Sequence, residues 1–148
     1  MRRTVSLLGL LLFAIVTAAP ACAHHMAVVV SKQNPVNSIT SAELGEIFRG
    51  ETKRWPDGKN IQLVVHRSST GEAETLERLN KMSAQEWHSW VAEHKDSLVL
   101  ADSDDDVLNY VEHTPGAIGL VEVHSVDDRV VVVRVDGKVP MEAGYLPH

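Results

Sequence analysis

The run at residues 27–30 reads Ala-Val-Val-Val, apolar at every position. A strand of that kind has no polar face to give to water, so it must be covered on both sides. Runs at 61–65, broken only by Gln62, and at 117–121 also read as buried strands, and another at 130–135, polar only at Arg134, is closed by Asp136-Gly137. Helix signals lie between them. Thr40-Ser41-Ala42-Glu43 and Ser83-Ala84-Gln85-Glu86 are capping boxes. Leu44, Ile47 and Phe48 share one face of the first helix, which Gly50 ends. A helix opening near Gly71 turns Leu76 and Leu79 inward and leaves Glu72, Glu74, Glu77 and Arg78 to solvent. Trp87, Trp90, Val91 and His94 form one stripe of the helix after Ser83. Ser103 caps a helix whose first turn is Asp104, Asp105 and Asp106, where the helix dipole favours negative charge. Strands alternate with helices, which predicts an α/β fold with one central, mostly parallel sheet and helices on both faces. The tail after Pro140 carries no clear period.

The first 23 residues read as a leader rather than as part of this fold. Arg2 and Arg3 precede an apolar run at 7–16, and Ala21-Cys22-Ala23 offers small residues at the −3 and −1 subsites of a signal peptidase. The run is short for a bilayer core of about 30 Å, and Pro20 would break it. The expected division is a signal peptide at 1–23 and one domain at 24–148, exported to the periplasm, with no membrane span after cleavage. Lipidation of Cys22 is the competing outcome. The chain has 148 residues, 14 Lys+Arg against 20 Asp+Glu, and one cysteine. That balance argues against nucleic acid as a partner, and one cysteine cannot build a disulfide framework.

Arg67-Ser68-Ser69-Thr70-Gly71-Glu72 carries the most chemistry. It joins a strand to a helix, where free backbone amides and the positive end of a dipole meet. Arg67 supplies a cation able to grip an oxyanion, Ser68, Ser69 and Thr70 supply hydroxyls, and Gly71 allows close backbone approach. A small oxyanion such as phosphate or sulfate fits that set. The same residues also fit a purely structural capping box, Ser69 with Glu72.

Asn34-Pro35-Val36-Asn37-Ser38-Ile39, then Glu43-Leu44, Ile47-Phe48-Arg49-Gly50, Trp55, Asp57-Gly58, the Arg67 junction, Thr114-Pro115-Gly116-Ala117-Ile118-Gly119 and Asp136-Gly137 stand in a recognisable order. This series resembles the periplasmic phosphate-binding proteins of ABC transporters, over nearly the whole of the chain after the leader. The resemblance implies a single lobe of a type-2 periplasmic-binding-protein fold. It also implies half an anion site: Arg67 as the cation, Ser68, Ser69 and Thr70 as hydroxyl donors, and the Gly71 and Glu72 amides as backbone donors. Its partners would be phosphate or a similar oxyanion, and an ABC permease or another periplasmic protein. Glu72 stands where the resemblance calls for threonine. A carboxylate ~4 Å from a phosphate oxygen costs about 1 kcal/mol in water and about 4 kcal/mol at an effective dielectric of 20. The expected function is therefore weak oxyanion binding in or beside an uptake system, and the alternative is an interaction or sensory module that has lost its ligand.

Other clusters have plainer readings. None of the eight histidines stands at a recognised zinc spacing. After cleavage, His24 offers an amine and an imidazole and His25 a second imidazole, a set that suits square-planar Cu(II). A frayed terminus is the competing reading. Residues 102–106 lack the glycine and the terminal glutamate of a calcium loop. Arg49, Lys53, Arg54 and Lys59 make a basic cluster near Trp55 that could dock an acidic partner. No G-x-S-x-G or P-loop motif occurs, so neither an enzyme nor a cofactor is expected. Intact-mass measurement of exported protein should give a chain beginning at His24; a retained leader or a lipid on Cys22 would refute that division.

Overall fold

A computed structural model describes residues 24–147. The expected leader and Cys22 lie outside the described residues. β1 (Met26–Ser31) is buried along its whole length. It runs antiparallel between β5 (Ala117–Glu122) and β6 (Val130–Val132), pairing Val28 with Leu120 and Val30 with Val131. β3 (Gln62–His66) lies parallel between β4 (Val99–Ala101) and β5. The order is β4-β3-β5-β1-β6. Four strands point one way and β1 alone is reversed, so the sheet is mostly parallel in direction.

Side chains alternate across this sheet, as strand geometry requires. On one face Val28, Val30, Leu63, Val65, Ile118 and Leu120 pack against α1 (Ser41–Phe48), α2 (Thr70–Asn80) and α3 (Ala84–His94), through Leu44, Phe48, Leu76 and Trp87. On the other, Val29, Val64 and Val121 meet Val107, Leu108 and Val111 of α4 (Asp104–His113). Both expected capping boxes form, at Thr40 with Glu43 and at Ser83 with Glu86, and Ser103 caps α4. Among the described residues no helix is long and apolar enough to cross a membrane.

One local expectation is corrected, and two segments without a sequence signal prove ordered. The run at 130–135 is not one strand: after β6 the chain leaves the sheet at Val133, and β7 (Arg134–Val135) pairs in parallel with β2 (Ser38–Ile39). The Val133 amide still donates to the Val28 carbonyl at 2.9 Å, and its carbonyl accepts from the Tyr145 hydroxyl at 2.6 Å. β4 carries no strong pattern because it is short and Leu100 is partly exposed. The tail without a period is nonetheless anchored. Tyr145 and Leu146 are buried, and the Tyr145 hydroxyl also accepts from the Val28 amide at 3.2 Å. Burial pushes that phenol up to about 12.

Gly116 is required by close approach. A Cβ there would collide with the Asn60 carbonyl oxygen, beside the indole of Trp55, whose Nε1 donates to the Gly116 carbonyl at 3.0 Å. The obstructing atom is backbone and cannot swing away. Gly116→Ala should therefore cost about 1–3 kcal/mol, read as a lowered urea midpoint with an unchanged slope. An unshifted midpoint would show that the loop yields freely.

Candidate functional site

In open α/β sheets, ligand sites form at the carboxyl ends of strands whose connections leave for opposite faces. Here that point lies between β3 and β4. The chain leaves β3 into α2 and α3 on one face, and leaves β4 into α4 on the other. Arg67 follows β3 and Asp102 follows β4, and the parallel register sets His66 against Ala101. Residues 67–72 thus lie at this crevice.

The junction is tightly bonded. Ser69 is the N-cap of α2, and its Oγ accepts from the Glu72 amide at 3.1 Å. The Ser69 amide donates to the His66 carbonyl at 3.0 Å, and the Arg67 amide to the Ala101 carbonyl at 3.2 Å. The Arg67 guanidinium donates through Nε to Asp102 Oδ1 at 2.5 Å, with both side chains more than half exposed. This bond holds the Asp102 carboxyl below its ordinary range. Ser68 Oγ lies 3.2 Å from His66 Nε2. Thr70, the first residue of α2, is exposed. A groove of about 530 Å³ opens beside these residues, lined by Arg67, Ser68, Ser69 and Thr70 with Glu74 and Trp87.

Glu72 departs from both readings of the sequence. Its side chain is 1% exposed and does not line the groove. The capping box is only half formed, because its Oε2 accepts from the His66 amide at 3.0 Å instead of returning to Ser69. Oε1 is buried without a hydrogen-bond partner. Burial pushes this carboxyl well above the ordinary glutamate range; the His66 amide opposes the shift, and the negative charge of Asp104 adds to it. The expected repulsion of an anion by a solvated Glu72 carboxylate therefore does not arise. The Glu72 amide, expected as an anion donor, is already engaged by Ser69.

His66 and Asp104 extend the network. Asp104 Oδ1 lies 3.1 Å from His66 Nδ1, and Oδ2 accepts from the Glu122 amide at 3.0 Å. Glu122 in turn reaches His24, whose Nδ1 stands 3.1 Å from its Oε1. His24 is thereby held against α2 and is not frayed: a Cβ at Gly71 would come within 2.7 Å of His24 Cβ and 2.8 Å of Met26 Sδ. No three His, Cys, Asp or Glu side chains among the described residues are grouped to hold a metal ion. The acidic run at 104–106 has partners: Asp105 pairs with Arg129, Asp106 Oδ2 accepts from the Asp102 amide, and the Asp106 amide donates to Ser103 Oγ. In the basic cluster, Arg49 is paired with Glu51 and Lys59 with Asp57.

Glu72 gives a test by pH. Between the ordinary glutamate value of 4.5 and its raised value in the fold, the native state keeps a proton that the unfolded chain has released. Stability falls as pH rises through that window and levels off above it. Glu72→Gln removes this contribution, so the variant should gain on the wild type as pH rises in urea melts. A constant difference between the two would show that the carboxyl ionises as it does in water.

The fold has relatives. A phosphate transport receptor from Vibrio cholerae superimposes with a TM-score of 0.64 at 21% identity, over 79% of this chain and 48% of that one. A putative phosphate ABC transporter substrate-binding protein from Clostridium perfringens, solved with bound phosphate, gives 0.64 at 24%, over 77% and 46%. PstS from Borrelia burgdorferi gives 0.64 at 18%, over 79% and 49%. This chain thus spans about half the length of these structures. The family model for the PBP superfamily domain matches residues 15–143. The chain belongs to the PBP superfamily.

Proposed function

We propose that this chain is an exported, non-catalytic solute-binding protein that takes phosphate or a similar small oxyanion weakly, in or beside an ABC uptake system. The observation that carries the reading is the position of Arg67, at the carboxyl end of β3, at the switch point and on an open groove. Only its Nε is bonded to Asp102, so the rest of the guanidinium remains for a ligand. Ser68 and Thr70 add hydroxyls beside it, and the Gly71 amide adds a donor at the start of α2. Ser69 and Glu72 support this set from beneath, one as cap and one as acceptor for the His66 amide. The structures resembled are described as a phosphate transport receptor and a putative phosphate ABC transporter substrate-binding protein, and the PBP superfamily assignment supports a solute-binding role. Periplasmic location rests on the leader pattern at 1–23.

Weak affinity follows from exposure and competition. An anion on Arg67 stays open to solvent, where screening reduces each charge contact, and Asp102 competes for the same cation. Calorimetry with phosphate should give a Kd on the order of 0.1 mM or weaker, less than about 6 kcal/mol of binding free energy. Asp102→Asn should strengthen binding by releasing the guanidinium, and Arg67→Ala in that background should abolish the gain. The Arg67–Asp102 pairing also favours a second reading, an interaction module without a ligand. Flat phosphate and sulfate titrations for the wild type and for Asp102→Asn would leave that second reading in place.

A further inference from the structure

A second cavity, of about 220 Å³, lies away from the Arg67 groove, between the start of β1, one face of α2 and the C-terminal tail. Its walls include His24, His25, Met26 and Met141, a concentration of imidazole and thioether in a chain with four methionines. We propose that this cavity is a Cu(I) site built from the His24 imidazole and the thioethers of Met26 and Met141. The inference does not rest on the oxyanion reading and uses none of its ligands.

Three observations carry it. First, His24 is held in the manner of a metal-binding histidine. Its Nδ1 faces Glu122 Oε1 at 3.1 Å, which places the ring proton there and leaves the Nε2 lone pair for a metal. Second, Met26 is 3% exposed, and its Sδ and the His24 ring both press on Gly71, where a Cβ would stand 2.8 Å from the sulfur and 3.0 Å from His24 Cγ. The His24 side chain and the Met26 sulfur thus meet at one spot on α2, and the glycine makes room for them. Third, Met141 is the most exposed large apolar side chain among the described residues, at 65%, and its backbone is left-handed at φ 73°. That conformation is uncommon for a residue other than glycine. The turn is fixed by its neighbours, because the Val139 amide donates to Glu142 Oε2 at 2.6 Å and the Tyr145 amide to the Glu142 carbonyl at 3.1 Å. A flexible thioether thus lines a cavity whose walls also include a second methionine and an imidazole held by Glu122.

The donor set selects the ion. Thioether and imidazole are soft to intermediate, uncharged ligands that suit Cu(I), and hard or borderline divalent ions gain little from thioethers. The site would differ from the square-planar Cu(II) arrangement expected at His24 and His25, since it needs neither the terminal amine nor His25. Methionine has three rotatable side-chain bonds, so Met141 can close on a metal without moving the backbone.

Anaerobic titration of Cu(I) against bicinchoninate tests the site, on exported protein whose intact mass shows that Cys22 has left with the leader, so that no thiol competes. One Cu(I) should bind per chain, and X-ray absorption should show both sulfur and nitrogen neighbours. Met141→Leu, Met26→Leu and His24→Gln should each weaken binding by no less than the about 10-fold that loss of an outer-shell partner costs. Met82→Leu, outside the cavity, should bind as the wild type does. Leucine nearly preserves the methionine volume, and Met141 is exposed, so the Met141→Leu fold should survive. Failure of the wild type to compete for Cu(I), or wild-type affinity in both leucine variants, would overturn the proposal.

Discussion

Val28, Val29 and Val30 are buried on both faces of the sheet, and that requirement dictates the rest of the architecture. A strand with no solvated side needs a layer above and a layer below. Three helices supply one layer and α4 supplies the other. To place helices on both faces, the chain has to leave neighbouring strands in opposite directions, which it does after β3 and β4. The crevice holding Arg67 and Asp102 is thus a by-product of covering apolar strands. Chemistry at the crevice is added by loop residues that the core does not need.

Glu72 shows how the core and the crevice meet. Its amide and its carboxyl do different jobs: the first completes the cap of α2, the second accepts from the His66 amide. A carboxylate would be costly at 1% exposure beside Asp104, and a protonated acid is the form that such a site tolerates. The side chain therefore acts as a buried backbone acceptor that fixes the end of β3, and the position of Arg67 depends on it. Threonine is too short to reach the same amide from the same place.

Much of the fold was legible locally. The capping residues Thr40, Ser83 and Ser103 announce three helices, because a cap is satisfied within one turn of the chain. The two-sided strands announce themselves by unbroken apolar runs. The break at Val133 was not legible, since it is set by Val28 and Tyr145, more than ten residues away in sequence. Nor was β4, whose three residues take their conformation from pairing with β3. At the candidate site, the residue types at 67–72 read as a strand-to-helix junction, and β3 does give way to α2 there. The inward turn of Glu72 depends on His66 and on the depth of the sheet beneath it, and spacing alone carries neither. His24 read as a loose end because its partners, Glu122 and Gly71, lie far along the chain.

The Tyr145 hydroxyl joins the amide of Val28 to the carbonyl of Val133. The bond to Val28 spans 117 residues of sequence. β1 also takes both its neighbours, β5 and β6, from the second half of the chain. The first of the described strands is consequently paired only by segments from the far end of the fold. Until residues beyond 116 are in place, an all-apolar ribbon with two open edges has no native neighbour, and such ribbons are prone to pair with other chains. Its most hydrophobic strand is thus among those that depend on late residues for their edges.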